Sequence, residues 1–101
     1  MSTDTDIKID EKIKKKIDEP KLWKVILLND DLTPIDFVIE LLITIFKHSQ
    51  ETAKNITMEI HNNGSGVAGI YTFEIAEIRA VEATTLARSN GFPLQIKMEE
   101  E

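Results

Sequence analysis

The chain of 101 residues contains no cysteine, which excludes disulfide bonds, thiolate metal sites and thiol catalysis. It also lacks the apolar run of about 18 residues that a transmembrane helix needs. Its first twenty residues are charged throughout, without the apolar stretch of a signal peptide. These absences predict a cytoplasmic protein with no membrane segment, and the length predicts one folded domain.

The chain has few basic residues for its number of acidic ones, 12 against 18, so its net charge is −6. The first twenty residues hold six acidic residues and five lysines, so most of the negative charge falls on residues 21–101. An acidic domain binds nucleic acid poorly and suits a cationic ligand or a basic partner surface. Residues 1–20 are predicted to be a flexible tail, although Ile9, Ile13 and Ile17 recur at a spacing that would permit a short, fraying helix.

Hydrophobic periodicity and turn residues divide residues 21–101 into six elements in the order strand, helix, helix, strand, helix, strand. This order predicts an α+β domain with one three-stranded sheet and helices packed on one face. The predicted strands are Leu22–Leu28, Val67–Tyr71 and Leu94–Met98. The predicted helices run from Pro34, capped by Thr33, to about Phe46; from the cap Ser49 to Glu59 or Ile60; and from the cap Thr72 to Asn90 and Gly91.

The third predicted helix carries two apolar stripes. We predict that its large side chains form the buried stripe and that its alanines allow neighbouring elements to approach closely. The large residues are Ile75, Ile78, Val81 and Leu86, and the alanines are Ala76, Ala80, Ala83 and Ala87. The segment His61–Gly66 is rich in turn residues and is predicted to be a loop, while Glu99–Glu101 are predicted to fray.

A polar run, N-D-D-L-T-P, connects the first strand to the first helix at Asn29–Pro34. A helix start explains Thr33, and an Asx-rich turn explains Asp31. Neither explains Asn29 and Asp30. A calcium loop would need acidic ligands at alternate positions and a central glycine, which this run lacks. The run therefore leaves two readings open, a purely structural turn or a site for a positively charged ligand beside an apolar helix.

The chemistry of the remaining residues gives no sign of catalysis. His48 and His61 lie at predicted helix ends, where a single histidine usually makes a local hydrogen bond. Without cysteine or a pair of histidines four residues apart, a zinc site is not expected. No nucleophile-elbow motif is present. We therefore predict no catalytic residue, no metal and no cofactor.

The run Lys24–Asp31, followed by x-T-P-x-x-F-V, resembles the signature of the ClpS family, adaptors that deliver N-degron substrates to Clp-type AAA+ unfoldases. Three later pieces resemble the family as well, and the resemblance covers residues 21–99. It implies a three-stranded antiparallel sheet with three helices, an architecture similar to the C-terminal domain of the ribosomal stalk. The later pieces are I-H-x-x-G at Ile60–Gly64, G-I-Y-T-x-E-x-A-E at Gly69–Glu77, and Pro93-Leu94.

The resemblance also implies roles for individual residues. Substrates would begin with Leu, Phe, Tyr or Trp, with a free α-amino group bound by Asn29, Asp30 and His61. The first side chain would enter an apolar pocket whose rim is shaped by two polar residues. The pocket residues implied by position are Ile35, Val38, Thr57, Ile60 and Leu94, with Asp31 and Thr33 at the rim.

Three positions depart from the family pattern. Ile35 and Thr57 stand where methionine is usual, so we expect an altered ranking among Leu, Phe, Tyr and Trp. Glu74 and Arg79 match positions that contact the N-domain of a ClpA- or ClpC-type unfoldase, and Arg79 replaces a lysine there. The predicted function is a monomeric, non-enzymatic adaptor. The alternatives are a ribosomal-stalk-type domain that binds translation factors and a small Asp/His hydrolase.

Overall fold

The computed structural model describes residues 19–101, so the predicted tail lies almost entirely outside the described residues. The element order agrees with the predicted one. The strands are β1 (Leu22–Leu28), β2 (Ser65–Thr72) and β3 (Gln95–Glu100), and the helices are α1 (Ile35–Thr44), α2 (Gln50–Asn63) and α3 (Phe73–Ser89). Within residues 19–101, no helix has the length and apolar character needed to cross a bilayer.

The sheet has the order β2-β1-β3, and both pairings are antiparallel. β1 is central, and its residues alternate between the two faces of the sheet. Val25 and Leu27 are fully buried in the core. Lys24, on the other face, forms an ion pair with Glu99 of β3 at 3.6 Å. The α+β fold with a three-stranded antiparallel sheet is therefore confirmed.

A β-bulge interrupts the pairing of β1 with β2. Val25 pairs with Gly69 and Ile26 pairs with Val67, which leaves Ala68 as an extra residue on β2. The Nε2 atom of His48 donates a hydrogen bond to the carbonyl oxygen of Ala68. His48 therefore has a structural role, since it satisfies a backbone acceptor at the bulge.

The core lies between the sheet and the three helices. Its largest fully buried side chains come from β1, from α1 and from the residue before β3, and smaller ones come from α2 and α3. The buried apolar residues of this core are Val25, Leu27, Val38, Leu41, Leu42, Phe46, Ala53, Ile60, Ala68, Ala76, Ala83, Ala87 and Leu94.

The prediction for α3 is wrong in its choice of buried stripe. Ala76, Ala83 and Ala87 are fully buried, whereas Ile78 is 48% exposed and Val81 is 58% exposed. Ile75 is exposed as well, and of the four predicted residues only Leu86 packs against the core. Helix α3 contacts all three strands. Small side chains allow its backbone to lie close to the sheet, so the alanine face is the one that is buried.

Several predicted element bounds also need correction. Helix α1 begins at Ile35 with Pro34 as its N-cap, one residue later than predicted, and ends at Thr44. Thr72 is the N-cap of α3, but its side chain makes no capping hydrogen bond. The cap at Ser49 is confirmed, because its side chain accepts a hydrogen bond from the backbone N–H of Thr52 at 3.2 Å.

The predicted loop after the second helix is much shorter in the structure. Helix α2 continues to Asn63, so His61 lies in its last turn, and β2 begins at Ser65. Only Gly64 separates the two elements, with a φ of +88° in the left-handed region that favours glycine. The C-terminal residues predicted to fray are also ordered, since Glu99 and Glu100 belong to β3.

Candidate functional site

Three chain segments meet at one end of the sheet. Leu28, the last residue of β1, pairs with Ser65 at the start of β2 and with Gln95 at the start of β3. The residues just outside these pairs are Asn29, Gly64 and Leu94. The polar run, the end of α2 and the segment before β3 are therefore neighbours in space, although they are far apart in sequence.

A backbone hydrogen bond connects the polar run to α2. The N–H of Asn29 donates to the carbonyl oxygen of Gly64 at 2.9 Å, and the N–H of Gly64 donates to Ile60 at 2.9 Å. Asn29 and His61 are both exposed, and their side chains make no hydrogen bond within residues 19–101. The structure thus brings Asn29 beside the helix end that carries His61, and leaves both polar side chains available to a ligand.

The carboxylate of Asp30 organises the turn that follows Asn29. Its Oδ1 atom accepts from the N–H of Leu32 at 2.8 Å and from the N–H of Thr33 at 2.7 Å. Its Oδ2 atom accepts from the hydroxyl of Thr33 at 2.8 Å. A carboxylate has about four acceptor positions, so one on Oδ2 stays available. Thr33 therefore holds the turn, and the prediction that it caps α1 is wrong.

These hydrogen bonds affect the ionisation of Asp30. Partial burial acts to raise the pKa of its carboxyl group, but the bonds from Thr33 and Leu32 favour the charged form. A further contribution comes from the positive charge of Arg88. The net result is a pKa below the ordinary value for aspartate. The turn therefore carries a negative charge at neutral pH.

The neighbouring Asp31 is exposed, and its carboxylate makes no hydrogen bond or ion pair within the part of the chain that the structure describes. All of its acceptor positions are available to a ligand. The sequence-based interpretation assigned Asp30 to a ligand and Asp31 to the rim, whereas the geometry makes Asp31 the less constrained of the two carboxylates.

The apolar residues predicted for the pocket differ in exposure. Val38, Thr57, Ile60 and Leu94 are buried, whereas Ile35 at the start of α1 is 47% exposed. The hydroxyl of Thr57 donates to the carbonyl oxygen of Ala53 at 2.7 Å. The hydroxyl proton of Thr57 is therefore used within α2. This makes the pocket wall at Thr57 less polar than the sequence predicted. These four residues make up the predicted apolar floor of the pocket, and Ile35 is exposed at the start of α1.

Sequence reasoning missed two residues near this floor. The guanidinium of Arg88 donates to carbonyl oxygens of the segment before β3, and the ring of Phe92 packs edge-on against Phe37 with a centroid distance of 4.8 Å. A basic residue in the last turn of a helix that ends in Asn-Gly is a weak signal for such contacts. Nothing in the sequence pattern identifies which carbonyls it would reach.

The two residues predicted to contact an unfoldase lie near the start of α3. Glu74 is exposed in the first turn and has no ion pair within residues 19–101. Arg79 forms an exposed ion pair with Glu82 at 2.9 Å. A groove of about 250 Å³ opens farther along α3 toward β3, and none of the predicted site residues line it. Its walls are formed by Glu77, Ala80, Val81, Thr84, Thr85 and Met98.

Comparison with known proteins gives consistent matches along this chain. Residues 18–97 match the model of the family described as ATP-dependent Clp protease adaptor protein ClpS. The ATP-dependent Clp protease adapter protein ClpS of Campylobacter jejuni strain 81-176 is 54% identical over 86 residues, which is 85% of this chain and 90% of that protein. The protein of the same name from Clostridium acetobutylicum is 45% identical over 100 residues, 99% of each chain.

A solved structure matches as well. Agrobacterium tumefaciens ClpS2 bound to L-phenylalaninamide superposes with a TM-score of 0.79 at 45% sequence identity, covering 81% of this chain and 99% of that one. The family match covers most of the chain, and the relatives are aligned over nearly their full length. The chain therefore belongs to the ClpS family of adaptor proteins of the ATP-dependent Clp protease.

Proposed function

We propose that this chain binds proteins whose free N-terminal residue is Leu, Phe, Tyr or Trp and delivers them to a ClpA- or ClpC-type unfoldase, without catalysing a reaction itself. One observation carries the proposal. The backbone bond from Asn29 to Gly64 brings the polar turn beside the end of α2, the helix that carries Ile60 of the predicted apolar floor. A ligand that is both cationic and apolar fits this combination.

The polar half of the site suits an α-ammonium group, which offers three donors in its charged form. Asn29 offers an amide oxygen, and a neutral His61 offers a ring nitrogen that accepts. Asp30 and Asp31 supply negative charge, the first through the remaining position on Oδ2 and the second through its whole carboxylate. An acetylated terminus would leave these acceptors unpaired, at a cost of about 1–3 kcal/mol for each one that the bound peptide shields from water.

The apolar half of the site suits the first side chain of the substrate. Burying a Leu or Phe side chain contributes roughly 1.5–3 kcal/mol. The predicted floor residues for this are Val38, Thr57, Ile60 and Leu94, which are buried in the free protein, and Ile35 is exposed at the start of α1. The Agrobacterium tumefaciens relative is bound to L-phenylalaninamide, which has both a free α-amino group and an aromatic side chain, and this supports the same ligand class here.

Delivery needs a second surface. The exposed Glu74 and the partly exposed Arg79 on α3 support contact with the N-domain of the unfoldase, which would place the adaptor in the cytoplasm with that machine. A ribosomal-stalk-type role leaves Asn29 and His61 without a function, so the adaptor role is the better interpretation.

Fluorescence anisotropy tests the proposal with two labelled peptides that begin with Phe and differ only in acetylation of the α-amino group. We expect saturable binding of the free peptide. The acetylated peptide should bind with at least tenfold lower affinity, a difference of about 1.4 kcal/mol in binding free energy. Equal binding of the two peptides, or no binding of either, would contradict the proposal. A third peptide that begins with Gly tests the apolar floor and should also bind weakly.

A further inference from the structure

Arg88 joins the end of α3 to the segment that leads into β3. Its Nη1 atom donates to the carbonyl oxygen of Phe92 at 2.9 Å and to that of Leu94 at 2.7 Å. These are charge-assisted hydrogen bonds, which are among the stronger ones in proteins. The segment between α3 and β3 has no regular secondary structure, so Arg88 supplies donors that no sheet or helix provides there.

One of the two carbonyls belongs to a residue assigned to the candidate pocket. Leu94 is 1% exposed and is one of the predicted floor residues. The ring of Phe92 meets Phe37 of α1 at an interplanar angle of 64°. Phe37 directly precedes Val38, another floor residue. Arg88 thus ties the segment that carries Leu94 to the end of α3, while Phe92 of the same segment packs against α1.

The preceding turn limits how far this segment can move by itself. Gly91 adopts a φ of +78°, and the N–H of Phe92 donates to Ala87 at 2.9 Å, which closes a Schellman turn at the end of α3. That turn fixes the segment only as far as Phe92. Beyond it comes Pro93, which has no N–H to donate, so the position of Leu94 depends on β3 and on Arg88.

We propose that Arg88 is a positioning residue of the side-chain pocket: by binding the carbonyls of Phe92 and Leu94, it fixes the Leu94 wall and so determines which N-terminal side chains fit. This inference rests on the proposed function, because it concerns the selectivity of the same site. Arg88 is not expected to contact the ligand. Its positive charge also acts on Asp30, so the overall affinity and the selectivity must be measured separately.

Two variants separate these effects. Arg88→Met retains an unbranched stem but removes both donors and the charge, whereas Arg88→Lys retains the charge on a side chain without the planar fork. Each variant is titrated with one peptide that begins with Phe and one that begins with Leu, and the wild type is titrated in parallel. Lys97→Gln is the control, because it removes one exposed positive charge from β3. Among the residues that the structure describes, Lys97 is paired only with Glu99, at 3.7 Å.

We expect both Arg88 variants to change the ratio of the Phe and Leu affinities by roughly fourfold, the factor that corresponds to one buried methylene group. Arg88→Met should bind both peptides at least as tightly as Arg88→Lys, since only Arg88→Met removes a positive charge that repels the ammonium group of the peptide. Lys97→Gln should leave the ratio at its wild-type value. An unchanged ratio in both Arg88 variants, with the wild type binding normally, would overturn the inference while leaving the proposed function intact.

A measurement without ligand distinguishes a local displacement of the segment before β3 from unfolding of the whole Arg88→Met variant. In wild-type protein, we expect a nuclear Overhauser effect between the rings of Phe37 and Phe92, which are in edge-on contact. It should weaken in Arg88→Met while the amide signals of β1 stay dispersed. Loss of all dispersed signals would mean that Arg88 is needed for folding as a whole, which would also overturn the proposal of a local positioning role.

Discussion

Asp30 and Asp31 are adjacent in sequence, yet their carboxylates have different surroundings. Asp30 accepts three hydrogen bonds from Leu32 and Thr33, whereas Asp31 accepts none within residues 19–101. An Asx turn of this kind fixes the backbone around the carboxylate. The carboxylate of Asp30 therefore stabilises the turn, and the carboxylate of Asp31 remains accessible beside it.

This difference predicts different outcomes for Asp30→Asn and Asp31→Asn. The first replaces an acceptor oxygen with an NH₂ group, so one hydrogen bond of the turn is lost and the free energy of unfolding should fall by about 1 kcal/mol. The second should change it by no more than about 0.5 kcal/mol. Both should weaken binding of a Phe peptide. Urea denaturation and anisotropy measure the two effects, and equal stabilities of the two variants would contradict this role for Asp30.

The lowered pKa of Asp30 makes its contribution to stability depend on pH. Because its pKa is lower in the folded protein than in the unfolded chain, the unfolded chain binds the proton more readily, and the stabilisation is fully present above the unfolded value of about 3.9. It is lost as the pH falls through the folded value. The stability difference between wild type and Asp30→Asn should therefore be constant above about pH 5 and shrink below about pH 4. A difference that stays constant down to pH 2 would contradict the pKa direction.

At the level of elements, α3 shows where hydrophobic pattern alone misleads. Its isoleucines and its alanines both recur at helical spacing, and the larger residues would bury more apolar area. The choice between them depends on how close the helix lies to the sheet, which a single sequence does not reveal. The antiparallel three-stranded sheet, by contrast, follows from the family resemblance, and the strand β1 is predicted to the residue because an apolar run between polar turns marks both of its ends.

The end of α2 illustrates a second limit. Asn62, Asn63 and Gly64 are typical turn residues, so the sequence predicts a loop at His61. In the structure, a single left-handed glycine suffices to end the helix, and His61 stays in its last turn. The candidate ligand residues of the polar turn were identified from sequence, whereas the hydrogen bonds that occupy Asp30 and the contacts of Arg88 depend on three-dimensional geometry.

The orientation of α3 predicts unequal losses of stability for two substitutions. Ala83→Leu adds volume at a fully buried position against the sheet and should lower the free energy of unfolding by about 1–3 kcal/mol. Ile78→Ala, at a residue that is 48% exposed, should cost less than about 1 kcal/mol. Thermal or urea denaturation compares them directly. A larger loss for Ile78→Ala than for Ala83→Leu would mean that the isoleucine face is the buried one.

At the level of the whole molecule, the two proposed surfaces lie toward opposite ends of the sheet. β1 pairs with Thr72, just before α3, at its Leu22 end, and with Ser65 at its Leu28 end. These ends are six residues apart, or about 20 Å. Glu74 lies beside the first end and Asn29 beside the second, so the two proposed sites do not overlap.

This separation predicts that Glu74→Lys impairs delivery without affecting the substrate. Binding to the isolated N-domain of the unfoldase should fall, because the exposed carboxylate is replaced by a positive charge. Affinity for a Phe peptide should stay within about twofold, since exposed charges farther apart than the ~8 Å Debye length are largely screened. Thr85→Lys, on the same helix but farther along, serves as the control for added charge. A matched loss of peptide affinity would contradict the separation.

The central claim is that a free α-amino group binds between the polar turn and the end of α2. Titrating ¹⁵N-labelled protein with L-phenylalaninamide and with its N-acetyl derivative tests this claim most directly. The free amine should shift the amide signals of Asn29, His61 and Gly64 in a saturable manner, and the acetylated compound should leave them unmoved at the same concentration. Identical shifts with both compounds, or shifts confined to the groove between α3 and β3, would contradict the account.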